Sequence, residues 1–344
     1  MRKGAAISII VICLLLVVYM AGPSPSSPAY TDATQPDSLP AQTRMGAELE
    51  AAIRAKETQH KLKPDNEARI VWADDSLKNQ TEYAIVYLHG FSASQEEGDP
   101  VHTNIAKKFG YNLYLSRLAE HGIDTTEDLI NLTPDSYWNS AKEALQIGRQ
   151  LGKKVILMGT STGGSLAIML AAAFPDKIES LILLSPNIAI RDGAARLLNN
   201  PWGLQIARMV KGSRYVDSKD QRPIYKQYWN SHYRLEGAVA LEELLETSMI
   251  VKNFSKVKQP TLMLYYYKDD EHQDAVVSVE AMKKMFERLG TPAEQKRAVV
   301  MPNTGDHVIG SYIKSKDIEG VEREIELFLK EVVHLEPTNK PINQ

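Results

Sequence analysis

Cysteine is almost absent from this sequence of 344 residues, and the one that occurs is Cys13. A single cysteine can form no intrachain disulfide and cannot supply a cysteine cluster for a metal ion. A strong excess of one charge is also lacking, since 40 basic and 43 acidic residues give a formal net charge of −3. Proteins that bind nucleic acid usually carry an excess of positive charge. We therefore expect no nucleic-acid partner.

Charged residues are also missing from a long run near the N-terminus, over residues 4–22. As a helix, the eighteen residues 5–22 of this run would span about 27 Å, close to the thickness of the bilayer core. Arg2 and Lys3 precede the run, and such positive residues stay in the cytoplasm. We predict that residues 1–22 are a signal or membrane anchor that places the rest of the chain in the cell envelope, outside the cytoplasm. No small-residue cleavage site ends the run, which slightly favours an anchor over a cleaved signal.

Proline is concentrated after this run, with five prolines in residues 23–40. So few apolar residues accompany them that we predict an unfolded linker here. Residues 41–344 are then expected to form one domain. Its first helix is predicted from Gln42 to about Lys61, since apolar residues recur there at helical spacing.

From residue 68 onward, apolar runs typical of strands alternate with helical stretches. Strands are predicted at Arg69–Ala73, Tyr83–Leu88, Asn112–Leu115, Lys154–Gly159, Ile178–Leu184, Thr261–Tyr267 and Arg297–Met301. Helices are predicted at Asp135–Gly152, Ser165–Phe174, Val279–Leu289 and Ile318–Val333. This alternation predicts the α/β class, with a mostly parallel sheet flanked by helices. It stops between about residues 187 and 258, and we expect that insert to form a helical cap.

The clearest motif lies in the middle of the chain and reads Gly159-Thr160-Ser161-Thr162-Gly163. It joins a predicted buried strand to a helix of small residues, the setting in which a strained turn presents a serine hydroxyl. The turn is too tight for side chains at its two glycine positions, and the helix N-terminus adds partial positive charge beside the serine. The motif therefore predicts Ser161 as a nucleophile.

A serine nucleophile requires a general base, normally histidine, and a carboxylate that orients the histidine. After a motif of this kind, the acid and then the histidine follow in chain order. We predict His307 as the base, because it lies in a glycine-containing loop just after the last predicted strand. The acid is expected on the loop after the strand at 261–267. Asp274 is favoured there, and Asp269 and Asp270 remain open.

Two backbone N–H groups are needed to hold the negative oxygen that forms when the serine attacks a carbonyl. One is predicted to come from Thr162, the residue after the nucleophile. The other is predicted to come from Phe91, which follows His89 and Gly90 at the end of an early strand. His89 itself is expected to form hydrogen bonds within this loop and to take no part in catalysis.

Together these motifs resemble the α/β-hydrolase superfamily, and within it the bacterial carboxylesterase, monoacylglycerol-lipase and lysophospholipase-like group. The resemblance covers about residues 83–333 and rests on Leu88-His89-Gly90-Phe91, Gly159-Thr160-Ser161-Thr162-Gly163-Gly164, Asp274-Ala275-Val276-Val277 and Gly305-Asp306-His307. The loop at residues 117–122 is also similar to an Arg-Leu-x-Gly-His-Gly loop of that group, with Glu120 in place of the usual glycine.

The resemblance implies an α/β-hydrolase fold with a helical cap. It also implies hydrolysis of carboxylic (acyl) esters through an acyl-enzyme on Ser161, without cofactor or metal. The expected substrate is a small-molecule or lipid acyl ester, and the membrane is a partner through the N-terminal segment. A thioesterase or a peptidase/amidase remains an alternative, since a fold does not determine its substrate. A non-catalytic binding module of the envelope is the least favoured alternative.

Overall fold

The computed structural model describes residues 2–31, 38–41 and 43–338. Residues 32–37 of the predicted linker, Gln42 at the predicted start of the first helix, and residues 1 and 339–344 lie outside the described residues. In the described part the strands are β1 Arg69–Val71, β2 Thr81–Leu88, β3 Asn112–Leu115, β4 Gly152–Thr160, β5 Ser180–Leu184, β6 Tyr215–Asp217, β7 His232–Arg234, β8 Thr261–Tyr265 and β9 Lys296–Val300.

The α-helices of the described part surround these strands. They are α1 Arg2–Met20, α2 Gly46–Glu57, α3 Val101–Phe109, α4 Pro134–Leu151, α5 Thr162–Ala173, α6 Gly203–Lys211, α7 Pro223–Tyr228, α8 Leu235–Ser248, α9 Val251–Phe254, α10 Val279–Arg288 and α11 Ile318–Glu331. Helix α4 begins as its sequence predicts, because the Thr133 and Ser136 side chains cap each other's backbone in a capping box and Pro134 occupies the first turn.

Seven strands form one sheet in the order β1-β3-β2-β4-β5-β8-β9. Every neighbouring pair in it is parallel except β1 with β3. Apolar side chains cover both faces, since β5 and β8 are buried along their whole length, as expected when helices flank a parallel sheet. The predicted α/β class with a mostly parallel sheet is confirmed.

Strand register brings the functional loops to one edge of this sheet. Leu88 at the end of β2 pairs with Gly159 in β4, and Thr160 pairs with Leu184 at the end of β5. Because parallel strands end on the same side, the segments that follow β2, β4 and β5 all emerge at this carboxyl edge. Ligands of open α/β sheets bind at this edge.

The insert between β5 and β8 contains α6 to α9 and the antiparallel hairpin of β6 with β7. At the end of α7, Tyr228 and Trp229 pack with Ala93, Val308 and Ile313. The Asn230 N–H donates a hydrogen bond of 2.6 Å to the Ser92 carbonyl. The insert is therefore a cap that lies directly on the loops after β2 and β9.

The segment of residues 22–31, which we call the N-terminal strap, packs on the domain. The Trp202 N–H donates to the Pro23 carbonyl at 3.0 Å, and the Tyr30 hydroxyl lies 2.8 Å from that of Thr247 in α8. The Tyr30 ring also meets Trp138 of α4 edge-on. Although the predicted linker contains few apolar residues overall, this half of it is ordered, because Tyr30 and the buried Pro28 make apolar contacts with the domain.

Helix α1 ends in a run of exposed apolar side chains, from Ile10 to Met20. No helix in residues 2–31, 38–41 and 43–338 combines the length and the apolar character required to cross a membrane.

Candidate active site

Ser161 occupies a sharp turn between β4 and α5, with φ 52° and ψ −119°. This conformation is strained for any residue with a side chain. The close packing around the turn prevents the backbone from relaxing to a less strained conformation. A Cβ at Gly163 would lie 1.9 Å from the Leu88 carbonyl oxygen, and one at Gly159 would lie 2.5 Å from the Gly163 carbonyl carbon. Both glycines are therefore required, as the motif predicts.

Backbone hydrogen bonds hold this turn in place. The Ser161 N–H donates to the Leu184 carbonyl at 2.9 Å, and the Ser161 carbonyl accepts from Asn187 at 2.9 Å. Thr162 is the first residue of α5, so its N–H belongs to the turn of a helix that has no acceptor within the helix. The serine hydroxyl and this backbone donor thus belong to adjacent residues of one turn.

Asp274 and His307 are in direct contact, with 2.6 Å between Asp274 Oδ2 and His307 Nδ1. The Nδ1–H donates to the carboxylate, so Nε2 remains available as the base. The second carboxylate oxygen, Oδ1, accepts from the N–H groups of Val276 at 2.8 Å and Val277 at 2.9 Å. Asp274 is fully buried, and His307 is 7% exposed.

The electrostatics of this pair favour its charged form. Burial alone would lower the pKa of His307, but the Asp274 carboxylate outweighs burial, and the pKa is raised above its ordinary value. Burial alone would raise the pKa of Asp274, but the charge and hydrogen bond of His307 and the two N–H donors lower it. A histidine that must accept a proton during a reaction is stabilised in its protonated form by such a partner.

The other two candidate acids lie apart from His307. Asp269 accepts from the side chain and backbone of His272 in its own exposed loop, and Asp270 accepts from the Tyr267 hydroxyl at 2.9 Å. Of the three carboxylates left open by the sequence, the structure therefore brings Asp274 alone against the histidine.

The loop at residues 89–93, which we call the oxyanion loop, is held by two buried histidines. The Leu118 N–H donates to His89 Nε2 at 3.0 Å, so Nδ1 carries the proton and donates to the Gly90 carbonyl at 2.9 Å. Burial lowers the pKa of His89 to about 4, which keeps it neutral. His121 Nε2 likewise accepts from the Ser92 N–H at 2.9 Å. His89 thus forms the predicted hydrogen bond within the loop, to Gly90, and a second one to Leu118 outside it.

A third buried group, Glu97, connects the oxyanion loop to both other parts of the site. Its Oε2 accepts from the Gly90 N–H at 2.5 Å. A Cβ at Gly90 would lie 2.9 Å from each Glu97 carboxyl oxygen and 3.0 Å from the Ser161 Cβ. The Glu97 carboxyl group also interacts electrostatically with His307. Ser161, the oxyanion loop and His307 thus share one neighbourhood.

Two residues that support the site, Glu97 and Arg191, were not predicted from the sequence. Arg191 Nη1 donates to the Asp274 carbonyl at 2.5 Å and comes from the first part of the insert. Glu97 follows another glutamate in a stretch that has no strand or helix periodicity. Neither residue forms part of a local pattern, because Glu97 contacts an amide of an irregular loop and Arg191 contacts a segment more than eighty residues away.

The cap covers this site in the structure. Ser161 is 6% exposed, and Trp229 and Tyr228 pack beside the oxyanion loop and the residue that follows His307. In residues 2–31, 38–41 and 43–338, no group of three or more His, Cys, Asp or Glu side chains could hold a metal ion. The arrangement is thus a shielded serine with a histidine–carboxylate pair, suited to attack on a carbonyl carbon.

Solved structures with this fold include several lipolytic enzymes. A structure of the metagenome-derived lipolytic enzymes LipS and LipT is 17% identical with a TM-score of 0.62, covering 78% of this chain and 100% of that one. Est1E from Butyrivibrio proteoclasticus with bound ferulic acid is 17% identical with a TM-score of 0.54, covering 78% and 95%. The monoacylglycerol lipase of Paleococcus ferrophilus is 15% identical with a TM-score of 0.54, covering 78% and 99%.

These identities are low, so the structural similarity establishes the fold alone. No curated protein sequence is significantly similar to the chain. The family described as serine aminopeptidase, S33, matches residues 81–307, from the start of β2 to His307. Because this match spans more than half of the sequence, the chain belongs to that family of α/β-hydrolases.

Proposed function

We propose that the protein hydrolyses carboxylic esters through an acyl-enzyme on Ser161. The observation that carries this proposal is the pairing of a strained serine turn after β4 with the buried Asp274–His307 hydrogen bond. Support also comes from the lipolytic activity named for proteins of the same fold. The substrate is a small-molecule or lipid acyl ester.

In the proposed reaction, Ser161 Oγ attacks the ester carbonyl carbon while His307 Nε2 takes the hydroxyl proton. The carbonyl π electrons move to the oxygen, which the N–H groups of Phe91 and Thr162 hold as an oxyanion. When the carbon–oxygen bond to the alcohol breaks, His307 gives its proton to that alcohol. A water deprotonated by His307 then attacks the carbonyl carbon of the acyl-enzyme. The bond from that carbon to Ser161 Oγ breaks, His307 returns its proton to Oγ, and the acid is released.

Both proposed oxyanion donors have support in the local structure. Thr162 begins a helix, where the N–H is free of intrahelical bonds. The amides on either side of Phe91 are fixed, that of Gly90 by Glu97 and that of Ser92 by His121. The Gly90–Phe91 peptide group, which carries the Phe91 N–H, is itself held by the hydrogen bond from His89 Nδ1 to the Gly90 carbonyl. Glu97 and His121 hold the peptide groups before and after it.

The test is hydrolysis of p-nitrophenyl esters from acetate to palmitate by the full chain in detergent, compared with Ser161→Ala. We expect the variant to lose about 10⁶-fold in kcat, because the nucleophile and its base act as a unit. A fluorophosphonate probe should label the wild type and not the variant. Retention of most activity by Ser161→Ala would contradict the proposal, and absence of both turnover and labelling would favour a non-catalytic binding module.

Peptide hydrolysis is a second candidate, because the matching family is described as a serine aminopeptidase. The same enzyme preparation should be offered aminoacyl arylamides and acyl thioesters beside the esters. A kcat/KM for arylamides above that for every ester would replace the esterase assignment with an aminopeptidase one. A preference for thioesters would replace it with a thioesterase.

We further propose that the catalytic domain works in the cell envelope, since Arg2 and Lys3 precede an uncharged N-terminal run. A membrane-impermeant fluorophosphonate should then label Ser161 in intact cells whose outer permeability barrier has been opened. Labelling that requires lysis of the inner membrane would contradict this location.

A further inference from the structure

Glu97 is a buried carboxyl group that has no part in the proposed reaction. It lies in the short 3₁₀-helix Gln95–Gly98, directly after the oxyanion loop, and is 2% exposed. Burial raises the pKa of Glu97 to about 7, although the Gly90 N–H and His307 act in the opposite direction. A buried carboxyl group is unfavourable where an apolar side chain could fill the same space, so its contacts indicate what it provides.

The first contact is with the backbone of the oxyanion loop. Glu97 Oε2 accepts the Gly90 N–H at 2.5 Å, which fixes the peptide group that joins His89 to Gly90. A buried N–H without an acceptor would cost about 1–3 kcal/mol. The hydrogen bond also removes the Gly90 N–H from the set of possible oxyanion donors, so the next N–H along the chain, that of Phe91, remains for this role.

The second contact is with the nucleophile turn. A Cβ atom on Gly90 would lie 2.9 Å from each Glu97 carboxyl oxygen and 3.0 Å from the Ser161 Cβ. Both side chains thus pack against the same side of Gly90. A shift of this backbone would move Phe91 relative to Ser161, and oxyanion stabilisation depends on donors within about 2.7–3.1 Å of the oxygen.

The loop is also restrained from its other end. The Ser92 N–H donates to His121, so the amides before and after Phe91 are both bonded to buried side chains. His121 keeps the acceptor nitrogen unprotonated because burial lowers its pKa well below the ordinary value. Glu97 supplies the corresponding acceptor on the side nearest the nucleophile.

We propose that Glu97 is a positioning residue whose carboxyl oxygen holds the Gly90 amide so that the Phe91 N–H faces the oxyanion. This inference rests on the proposed function of Ser161. The role requires a hydrogen-bond acceptor at this position and does not require a negative charge. Glutamine, which keeps a carbonyl oxygen at the same place, should therefore substitute for glutamate.

The experiment compares Glu97→Gln, Glu97→Ala and Glu97→Leu in ester hydrolysis, with kcat expressed per site titrated by a fluorophosphonate. We expect kcat to fall about 100-fold in the alanine and leucine variants with little change in KM, as for loss of one oxyanion donor. Glu97→Gln should keep kcat within about threefold of the wild type. A role limited to stability would lower the titrated fraction and leave kcat per site unchanged.

Glu96 provides a matched control, because it is a buried carboxyl residue of the same 3₁₀-helix. Burial raises its pKa as it does that of Glu97, but its side chain bonds to Tyr312 and not to Gly90. Glu96→Ala should leave kcat per site within about threefold of the wild type. An unchanged kcat in Glu97→Ala, or an equal loss in Glu97→Gln and Glu97→Ala, would overturn the inference and leave the function of Ser161 intact. A wild type that neither turns over nor labels would instead overturn the proposed function, and the role of Glu97 with it.

Discussion

At the scale of single residues, Asp274 divides its two carboxylate oxygens between two tasks. Oδ1 accepts two backbone N–H groups and fixes the carboxylate on its loop, while Oδ2 accepts the proton-bearing Nδ1 of His307. The carbonyl of the same residue accepts from Arg191, which belongs to the cap insert. The orientation of His307 therefore depends on the Asp274 side chain, on the loop that carries Asp274 and on the cap.

Asp274→Asn is expected to lower both the activity and the pKa of His307. The carboxylate raises this pKa, and activity requires neutral His307, so activity is lost as the pH falls through the raised pKa. Without the negative charge the pKa falls, and the acid limb of the kcat/KM profile should move to lower pH. In a serine protease the corresponding change also lowers kcat about 10⁴-fold. An acid limb unchanged in Asp274→Asn would contradict the role of this carboxylate.

Glu120 shows what a departure from the usual loop sequence does to the backbone. It occupies the position where similar loops have glycine, and its φ is 64°. The left-handed conformation costs a residue with a side chain about 1–2 kcal/mol, partly offset by the greater freedom of glycine in the unfolded chain. The turn is therefore kept, and the substitution is accommodated as local strain.

Glu120→Gly is accordingly expected to stabilise the protein by about 0.5–1 kcal/mol. Chemical denaturation at equilibrium measures this difference as a shift of the midpoint without a change of slope. Glu120→Ala is the matched control, because it removes the same side chain and keeps a Cβ, and it should give no such gain. Equal stability of the glycine and alanine variants would contradict the strain.

The sequence predicted the residues of the site to the extent that they belong to local patterns. Ser161 lies in a motif that its flanking strand and helix define, and His307 follows the last strand. The sequence favoured Asp274 as the acid but left Asp269 and Asp270 open, since all three lie on one loop and only the folded chain shows which faces His307. Glu97 was not predicted at all, because its function depends on an amide seven residues earlier in an irregular loop.

At the scale of elements, the strands of the large sheet and the longer helices were predicted, whereas the short helix α3 and the hairpin in the insert were not. Helix α4 was predicted over Asp135–Gly152 and extends over Pro134–Leu151, so each of its bounds differs by one residue. Helix α3, Val101–Phe109, was not predicted, because nine residues give too few turns to establish a period. The sequence indicated that the insert is helical, but it gave no sign of the small hairpin of β6 and β7.

The N-terminal strap is the element whose behaviour differs most from that expected of a proline-rich linker. Tyr30→Ala should destabilise the domain by about 1–3 kcal/mol, because the half-buried ring packs on Trp138 and its hydroxyl meets Thr247. For a domain of this size the melting temperature should fall by several degrees.

Tyr30→Phe separates the two contributions to this effect. It keeps the ring and removes the hydroxyl, so it should lose only about 1 kcal/mol. A melting temperature of Tyr30→Ala equal to that of the wild type would show that the strap does not dock in solution.

At the scale of the whole molecule, the candidate site is assembled from distant parts of the chain. The oxyanion loop follows β2, Ser161 follows β4, Asp274 follows β8 and His307 follows β9. The order of these site residues along the chain could be predicted, because a parallel sheet places the carboxyl ends of its strands on one edge. How far the cap closes over that edge could not be predicted, since Tyr228 and Trp229 contact residues that lie more than sixty positions away in the chain.

The N-terminal strap also has a mechanical consequence. It is tied in turn to Trp202 of the cap, to Asp135 at the start of α4 and to Thr247 of α8. A force that pulls on α1 would load these hydrogen bonds one after another, starting from the N-terminal end of the strap. It would act on the interface between the cap and the core. The seven-stranded sheet would carry little of that load, so the turn that holds Ser161 would keep its shape while the strap comes away.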